Sequence, residues 1–553
     1  MANRKLYLDY LALAGTMALG AVLRFGNLGL KPLWMDEVIT AIFSLGKNYH
    51  DLPLNVLFPL ASVAEIFSYQ PGVSCQQIAE NIANQSTHPP LFFCGMYRWL
   101  GWMMPLGSEW VAQLRSLPAL LGVSAIAAIY GINRIGFYPA SGIMAALIMA
   151  ISPFAVYLSQ EARHYTMPML LITLALLGLV QIQQDIFQQQ RLRIWVVLLW
   201  SIINSIGLYI HYFFILAFIA EVITLIILIS LWKVNIINKV QVSLILTISI
   251  TGVILTFMPW LPVLLIHFQS AETNWLPDTI HIAPLYQTLM NGILMVIALP
   301  VENQSLPITV ICGGLMVSFA IWLGWQAWKG LKILWLDDTS HLATLTLVSF
   351  TIIVFIQFFA IAYFLGKDIT IIPRYNFVYY PSFCALLGAS ISKNHHAKLA
   401  ILFVGILSCI FVISDLVFQK PFQPEQTAQN MNLESSVPVM LVVGYNSYQD
   451  VALGLSFALA LEKVRSHTNA AVIDSFAFLK KSVDTPNFWL RLDEMPIPKT
   501  SQMNLWIVAP GMRRLEYPQE VGLSGESMCQ IDTTHHYRIG VPYQLYRCQT
   551  IPL

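Results

Sequence analysis

The chain has 553 residues, of which 57% are hydrophobic and 11% charged, and its formal net charge is +1. Soluble globular proteins have roughly 25% charged residues, so this composition excludes an ordinary soluble protein and indicates a polytopic membrane protein. A net charge near zero gives no general attraction to nucleic acid, and no nucleic-acid partner is expected. The sequence has no Walker loop, no G-x-G-x-x-G and no H-E-x-x-H motif, which leaves nucleotide, dinucleotide and zincin sites without support.

The first apolar run, Leu6 to Val22, follows the basic start Asn3-Arg4-Lys5. It is long enough to span a bilayer and has no clear cleavage site before Arg24, which favours an uncleaved anchor over a secretory signal. Because basic residues flank the cytoplasmic side of spanning helices, we expect the N-terminus in the cytoplasm and the next loop outside.

Asp36 and Glu37 stand side by side just after this anchor, in LWMDEVITAIFS. Burying a carboxylate at the edge of a bilayer without a partner costs about 2 kcal/mol or more. Two adjacent carboxylates at this position therefore suggest a functional site. An ordinary acidic pair in an interfacial loop is the alternative. Residues 27–87 are expected to form a long outer loop with short helices along the membrane surface. This loop ends at His88-Pro89-Pro90, where proline favours the first turn of a helix and the histidine serves either as its cap or as a site residue.

Beyond Leu114, apolar segments alternate with short polar links, and the positive-inside rule assigns each link to one side. About eleven segments then cross the membrane, within an expected range of 11–13 spanning helices. The stretches 89–104 and 284–299 do not fit this alternation and must re-enter, lie flat or pair with a neighbour. The cytoplasmic turns carry Arg134, Arg191, Arg193, Lys233, Lys239, Lys329, Lys332, Lys393 and Lys398, and the outward links are Ser159–Tyr165, Tyr209–Tyr212, His267–His281 and Lys367–Arg374.

Two outward links are rich in groups that can bind a substrate. The sequence SQEARHYT contains Glu161, Arg163, His164 and Tyr165 between two apolar spans, where charged groups need a partner, either each other or a ligand. Arg374-Tyr375 opens a later span. An arginine there can extend to lipid phosphate, and its paired donors also suit the phosphate of a bound substrate.

The last part of the chain, residues 420–553, has the composition of a soluble domain. Strands are expected at Pro438–Gly444, Ala470–Asp474 and Asn504–Ala509, with an amphipathic helix at Tyr448–Val464, which predicts a small α/β domain. By the parity of the spans it lies outside the cell. Cys529 and Cys548 either form a disulfide there or remain free thiols.

In their order along the chain, the motifs LWMDE, THPPLFF, LRSLPALLG, ISPFAVYLSQEARHYTM and IIPRYNF resemble the GT-C superfamily of polyprenyl-phosphate-dependent glycosyltransferases, in particular the protein O-mannosyltransferase and aminoarabinose-transferase group. The resemblance is good over residues 5–185 and looser over the remaining membrane part. It implies an all-α polytopic GT-C membrane domain at residues 1–419, followed by the extracytoplasmic α/β domain.

The same resemblance assigns roles to individual residues. It implies that Asp36 is the catalytic base and Glu37 its neighbour, and that the remaining matched residues bind substrate. Arg115 lies in Arg-Ser-Leu-Pro, where the family has Arg-Leu-Pro-Ser. The substrate-binding set is His88, Arg115, Glu161, Arg163, Tyr165, Arg374 and Tyr375.

The predicted reaction is transfer of a hexosyl or pentosyl group from a polyprenyl-phosphate donor to a hydroxyl of a glycan, lipid or protein, at the outer face of the plasma membrane. A carboxylate such as Asp36 can take the acceptor proton, and arginine can stabilise the departing phosphate. Direct displacement inverts the anomeric centre, whereas Glu37 or Glu161 acting as nucleophile would retain it. A divalent cation on Asp36 and Glu37 stays open, and no metal ligand is assigned.

Two other classes of protein also fit a polytopic chain with buried charges. A transporter or lipid flippase is the main alternative, although the charges cluster at one face and no internal repeat with paired broken helices is evident. A non-catalytic scaffold for the C-terminal domain would leave Asp36, Glu37 and Glu161 without a role.

Overall fold

The computed structural model describes residues 2–103, 109–231, 236–270, 282–466, 473–481, 485–495, 502–524 and 527–550. The chain folds into two compact units. We call the first the membrane unit, which comprises Met1–Leu28, Ile82–Met96 and Ala112–Phe418. We call the second the α/β unit, which comprises Gly29–Asn81, Tyr97–Val111 and Gln419–Leu553.

The described residues are mostly helical, and the helices run through both units. Short 3-10 helices occur at Tyr49–Asp51, Leu60–Phe67, Met258–Trp260, Ile369–Ile371, Pro373–Val378 and Arg514–Glu516. The α-helices are α1 (Ala2–Phe25), α2 (Met35–Ser44), α3 (Cys75–Gln85), α4 (Leu91–Met103), α5 (Trp110–Gly136), α6 (Pro139–Ile151), α7 (Pro153–Ser159), α8 (Thr166–Phe187), α9 (Ile194–Leu208), α10 (Phe214–Leu231), α11 (Ile236–Phe257), α12 (Leu261–Phe268), α13 (Ala283–Leu294), α14 (Leu306–Leu336), α15 (His341–Leu365), α16 (Tyr380–Ile391), α17 (His395–Ile413), α18 (Pro424–Met431), α19 (Tyr448–Ser466) and α20 (Thr485–Asp493).

Among the described residues, eight helices are long and apolar enough to cross a membrane, and the bent pair α6–α7 makes a ninth if it is one span. The shorter apolar helices α9 and α16, of 15 and 12 residues, are not counted among them. The chain is therefore a multi-pass membrane protein. Part of the predicted link His267–His281 and the predicted cytoplasmic turn at Lys233 lie outside the described residues.

The two stretches that did not fit the alternation form short helices. Helix α4 has 13 residues and α13 has 12, so each is about 20 Å long or less, against a hydrocarbon core of roughly 30 Å. Residues Met295–Leu299, which follow α13, are buried without regular structure. Neither stretch is long enough to span the membrane as a single helix.

The membrane helix that precedes SQEARHYT is broken. Helices α6 and α7 meet at an angle of 58°. The break falls at Ser152-Pro153, where proline cannot donate a backbone hydrogen bond and the Ser152 hydroxyl accepts one from the Ala155 N–H as the cap of α7. Because α7 is only seven residues long, the chain turns again at Gln160, and residues 160–165 form a buried turn before α8.

The α/β unit is built on one seven-stranded sheet with the order β1-β3-β2-β4-β7-β6-β5. Strand β2 lies parallel to β3 and β4, and every residue of β2 is buried, as is typical of a central parallel strand. The other strand pairs are antiparallel. The strands are β1 (Leu57–Pro59), β2 (Val439–Tyr445), β3 (Ser475–Lys480), β4 (Gln502–Val508), β5 (Glu520–Leu523), β6 (Ser527–Ile539) and β7 (Val541–Thr550).

The structure differs from the sequence expectation at the second C-terminal strand. We expected it at Ala470–Asp474, but residues 470–472 lie outside the described part and the strand β3 begins at Ser475. The Asp474 side chain instead accepts a hydrogen bond from the Val439 N–H at 2.8 Å and pairs with Arg465 at 2.5 Å. Asp474 therefore ends the turn before the strand, and the apolar run Ser475–Leu479 supplies the buried strand.

The Cys529–Cys548 alternatives are resolved in favour of a disulfide, which joins directly facing residues of β6 and β7. A second feature was not anticipated. Strand β1 comes from residues 27–87, which we assigned to the outer loop of the membrane domain, and it pairs with β3 at the edge of the C-terminal sheet. The first loop and the C-terminal part of the chain thus share one sheet.

Candidate active site

The acidic pair lies in the α/β unit, in the first turn of α2. Only 8% of Asp36 and 1% of Glu37 are exposed. The dipole at the start of a helix favours negative charge, so this position stabilises carboxylates that are largely removed from water. The motif MDEVIT thus places two buried carboxylates at the positive end of a helix.

Contacts with the C-terminal part of the chain hold α2 in place. The buried Ser456 hydroxyl of α19 donates a hydrogen bond of 2.6 Å to the carbonyl of Leu33, just before α2 begins. After α2, the ring of Tyr49 stacks on that of Tyr448, with centroids 4.3 Å apart. Both ends of the segment that carries Asp36 are therefore attached to α19.

In the membrane unit, the turn 160–165 brings Arg163 and Tyr165 together with Arg374. The guanidinium carbon of Arg163 lies 5.6 Å from the centre of the Tyr165 ring, and that of Arg374 lies 5.7 Å from the same ring. The Arg163 Nη2 also donates to the Tyr165 hydroxyl at 3.5 Å. Two of the predicted phosphate-binding arginines, 211 positions apart in sequence, thus contact one buried aromatic ring.

Glu161, Tyr375 and Arg115 occupy different positions. Glu161 is buried in the same turn as Arg163, and its carbonyl accepts a hydrogen bond of 2.7 Å from the Arg163 N–H. The ring of Tyr375 lies 6.3 Å from that of Tyr165. Arg115 is also buried, and its Nη1 donates at 2.9 Å to the carbonyl of Leu28, a contact that links α5 to the segment after α1.

Beside this ring, three histidines from three turns of the membrane unit form a cluster. The ring of His164 lies 4.7 Å from His88 and 4.7 Å from His211, measured between centroids, and His88 and His211 are 6.4 Å apart. His88 was predicted as a site residue. His164 and His211 were not, although both lie in links that the positive-inside rule assigns to the same side as His88.

The three imidazoles are neutral near pH 7. Burial first, and then the positive charges of Arg163 and Arg374, lower the pKa of His211 to about 3. Burial first, and then Arg163, Arg374 and neighbouring histidines, hold the pKa values of His88 and His164 well below the usual range. The cluster therefore offers uncharged donors and acceptors beside two cationic groups.

None of the described residues forms a group of three or more histidine, cysteine, aspartate or glutamate side chains that could hold a metal ion. The His535-His536 pair has side-chain partners instead. His535 contacts Asp532 at 2.9 Å, and His536 contacts Gln544 at 2.9 Å.

Comparison with solved structures identifies the fold. ArnT from Cupriavidus metallidurans bound to undecaprenyl phosphate is 10% identical in sequence and superposes with a TM-score of 0.52, with 99% of this chain and 98% of that chain covered. The oligosaccharyltransferase of Archaeoglobus fulgidus, crystallised with Zn and sulfate, is 14% identical with a TM-score of 0.45. That match covers 81% of this chain, which spans 61% of the oligosaccharyltransferase. No protein-family model and no curated protein matches the sequence.

The agreement with ArnT over nearly the whole of both chains confirms the fold class predicted from the sequence motifs, a GT-C membrane fold with a C-terminal sheet-containing part.

Proposed function

We propose that the chain is an integral membrane glycosyltransferase that moves a sugar from a polyprenyl-phosphate donor to an acceptor hydroxyl at the outer face of the plasma membrane. The observation that carries the proposal is the convergence of Arg163 and Arg374 on the buried ring of Tyr165. Guanidinium groups present paired donors that suit the oxygens of a phosphate, and here two of them lie beside one ring. The GT-C fold shared with ArnT, which was crystallised with undecaprenyl phosphate, supports a lipid-linked phosphate as that anion.

Asp36 is the proposed general base. It removes the proton of the acceptor hydroxyl as the oxygen attacks the anomeric carbon of the donor sugar. The bond between that carbon and the phosphate oxygen breaks, and the oxygen keeps the electron pair. Arginine is always charged and presents paired donors, so Arg163 and Arg374 stabilise the negative charge that develops on the phosphate.

A single displacement of this kind inverts the anomeric centre. Retention requires a second carboxylate as nucleophile, and Glu37 and Glu161 are the buried candidates. The stereochemistry of the product therefore distinguishes the two routes. The proposed sugar is a hexose or a pentose, and the acceptor is a glycan, a lipid or a protein.

The decisive experiment compares Asp36→Asn with Glu37→Gln in protein purified and reconstituted with a polyprenyl-phosphate sugar. Loss of a general base typically lowers the rate by 10²- to 10⁴-fold, and we expect this loss in Asp36→Asn with binding of polyprenyl phosphate unchanged. Glu37→Gln changes the neighbouring carboxylate on the same helix, and loss of transfer in this variant would favour Glu37 as the nucleophile of the retaining route.

Unchanged glycosyl transfer in Asp36→Asn would refute the proposed mechanism. If the wild type moves lipid across vesicle membranes without transferring sugar, and Asp36→Asn abolishes that movement, the chain is a flippase.

Orientation needs its own test, since the proposal places the α/β unit outside the cell. Leu515 is 97% exposed in that unit, so Leu515→Cys provides an accessible thiol. We expect a membrane-impermeant maleimide to label it in intact cells, with the unsubstituted chain as the control for native cysteines. Labelling only after permeabilisation would place the unit in the cytoplasm and contradict the proposal.

A further inference from the structure

His164 is the central member of the histidine cluster and differs from its neighbours in its hydrogen bonds. It is fully buried, and within the part of the chain that the structure describes neither Nδ1 nor Nε2 has a hydrogen-bond partner. A neutral imidazole has one donor and one acceptor nitrogen, and burying both without partners is unfavourable. Such a group in a native protein indicates a partner that arrives from outside the chain.

The two flanking histidines are already oriented. The Nδ1 of His88 lies 3.1 Å from the Ser86 hydroxyl. The Nδ1 of His211 accepts a hydrogen bond of 2.9 Å from the Phe213 N–H, so its proton lies on Nε2. These contacts fix the rings on either side of His164.

His267 provides a comparison within the same unit. It is also buried, but its Nδ1 lies 2.7 Å from the Tyr212 hydroxyl and its Nε2 lies 3.1 Å from the carbonyl of Ala83. Both of its nitrogens are thus satisfied by the fold. Burial in this region therefore does not by itself leave a histidine without partners.

The charges that act on His164 indicate the sign of the missing partner. The ring of His164 lies 4.5 Å from that of Tyr165, between centroids, and the guanidinium groups of Arg163 and Arg374 lie beside the same Tyr165 ring. A ligand in this positive field is anionic, and it accepts the N–H of the imidazole. A phosphate has enough oxygens to accept from two guanidinium groups and one imidazole at the same time.

We propose that His164 binds the phosphate of the lipid-linked donor through a ring N–H, as a third ligand beside Arg163 and Arg374. The inference rests on the proposed function and adds a residue to its phosphate site. Since His164 is neutral, it contributes direction and an additional hydrogen bond, whereas the arginines contribute charge.

The test replaces His164 by phenylalanine, which keeps an aromatic ring between His88 and His211 but removes both nitrogens. A hydrogen bond to a charged group corresponds to roughly 10- to 100-fold in affinity, so we expect that loss for polyprenyl phosphate and no change for the uncharged polyprenol. Because the nitrogens lack partners in the fold, the melting temperature without ligand should not fall. His164→Gln restores a donor and should recover part of the affinity.

His267→Phe is the matched control. It breaks two hydrogen bonds of the fold, so it should lower the melting temperature and leave the preference for the phosphate over the alcohol intact. In a further arm, inorganic phosphate competes with the lipid. If inorganic phosphate displaces the lipid from the wild type but not from His164→Phe, the site binds phosphate itself. If inorganic phosphate does not displace the lipid from the wild type, binding also requires the prenyl chain.

Two results would overturn the inference, and they are distinguishable from each other. If the wild type prefers polyprenyl phosphate over polyprenol and His164→Phe keeps the same preference, His164 is not a phosphate ligand and the proposed function stands. If the wild type shows no such preference, both the proposed function and the inference fail.

Discussion

Replacing Tyr165 tests whether one aromatic ring organises the two arginines. The ring is 1% exposed, and both guanidinium carbons lie within 5.7 Å of its centre. A cation–π contact contributes about 0.5–1 kcal/mol at a surface and about 2 kcal/mol when water is excluded, so two such contacts amount to roughly 1–4 kcal/mol. Tyr165→Leu removes both of them.

If the ring positions the arginines for phosphate, part of this energy is lost from ligand binding. Since about 1.4 kcal/mol corresponds to a factor of ten, Tyr165→Leu should weaken binding of polyprenyl phosphate by one to two orders of magnitude. The assay is titration of the detergent-solubilised variant with polyprenyl phosphate, with polyprenol as the uncharged reference. Its affinity for polyprenol should stay within about twofold, since hydrophobic contacts of the prenyl chain do not depend on the arginines.

Tyr165→Phe is the matched control for this experiment. It keeps the ring and loses only the hydroxyl, whose hydrogen bond from Arg163 is long at 3.5 Å. We expect its affinity to remain close to that of the wild type. If Tyr165→Phe is as impaired as Tyr165→Leu, the hydroxyl and not the ring face is the functional group, and the stacking argument is refuted.

Two further predictions concern other parts of the chain. Because the folded-state pKa of His211 is lowered to about 3, the unfolded chain takes up a proton below about pH 6.5 that the folded chain does not, so stability should fall by about 1.4 kcal/mol per pH unit on acidification. Melting temperatures between pH 7.5 and 5 should therefore decline less steeply in His211→Gln, and equal slopes would contradict this. Ser456→Ala leaves the carbonyl of Leu33 without its donor, so it should destabilise the α/β unit by about 1–2 kcal/mol. It should lower the rate of glycosyl transfer less than Asp36→Asn does. A variant with wild-type stability would show that this hydrogen bond does not hold α2 in place.

The fold class was predictable because its evidence is local. Apolar runs of spanning length and basic links indicate a polytopic membrane protein, and short continuous apolar runs near Val439 and Asn504 indicate buried strands. The bend at Ser152-Pro153 follows from the chemistry of proline. The angle of 58° between α6 and α7 is seen only in the structure. The strand β1 has only three residues and pairs with a strand more than 400 residues away, so no local pattern reveals it.

The candidate site was predictable only in part for the same reason. Arginine and tyrosine in outward links suggested phosphate binding, and Arg163, Tyr165 and Arg374 do lie together in the membrane unit. His164 lies within the very motif that drew attention, but a histidine in a sequence does not reveal whether the fold satisfies its nitrogens. Burial and hydrogen-bond partners depend on contacts between turns that are distant in sequence. As a result of these contacts, His267 has hydrogen-bond partners, whereas His164 has none among the described residues.

The shared sheet constrains what the C-terminal part of the chain can do. Here the segment with the acidic pair is attached to it before α2 by Ser456, after α2 by Tyr448, and through β1 by pairing with β3. A movement of the C-terminal strands that keeps these contacts must carry Asp36 with it. If Asp36 is the general base, as proposed, binding of an acceptor to this part of the chain and alignment of the carboxylate become one event.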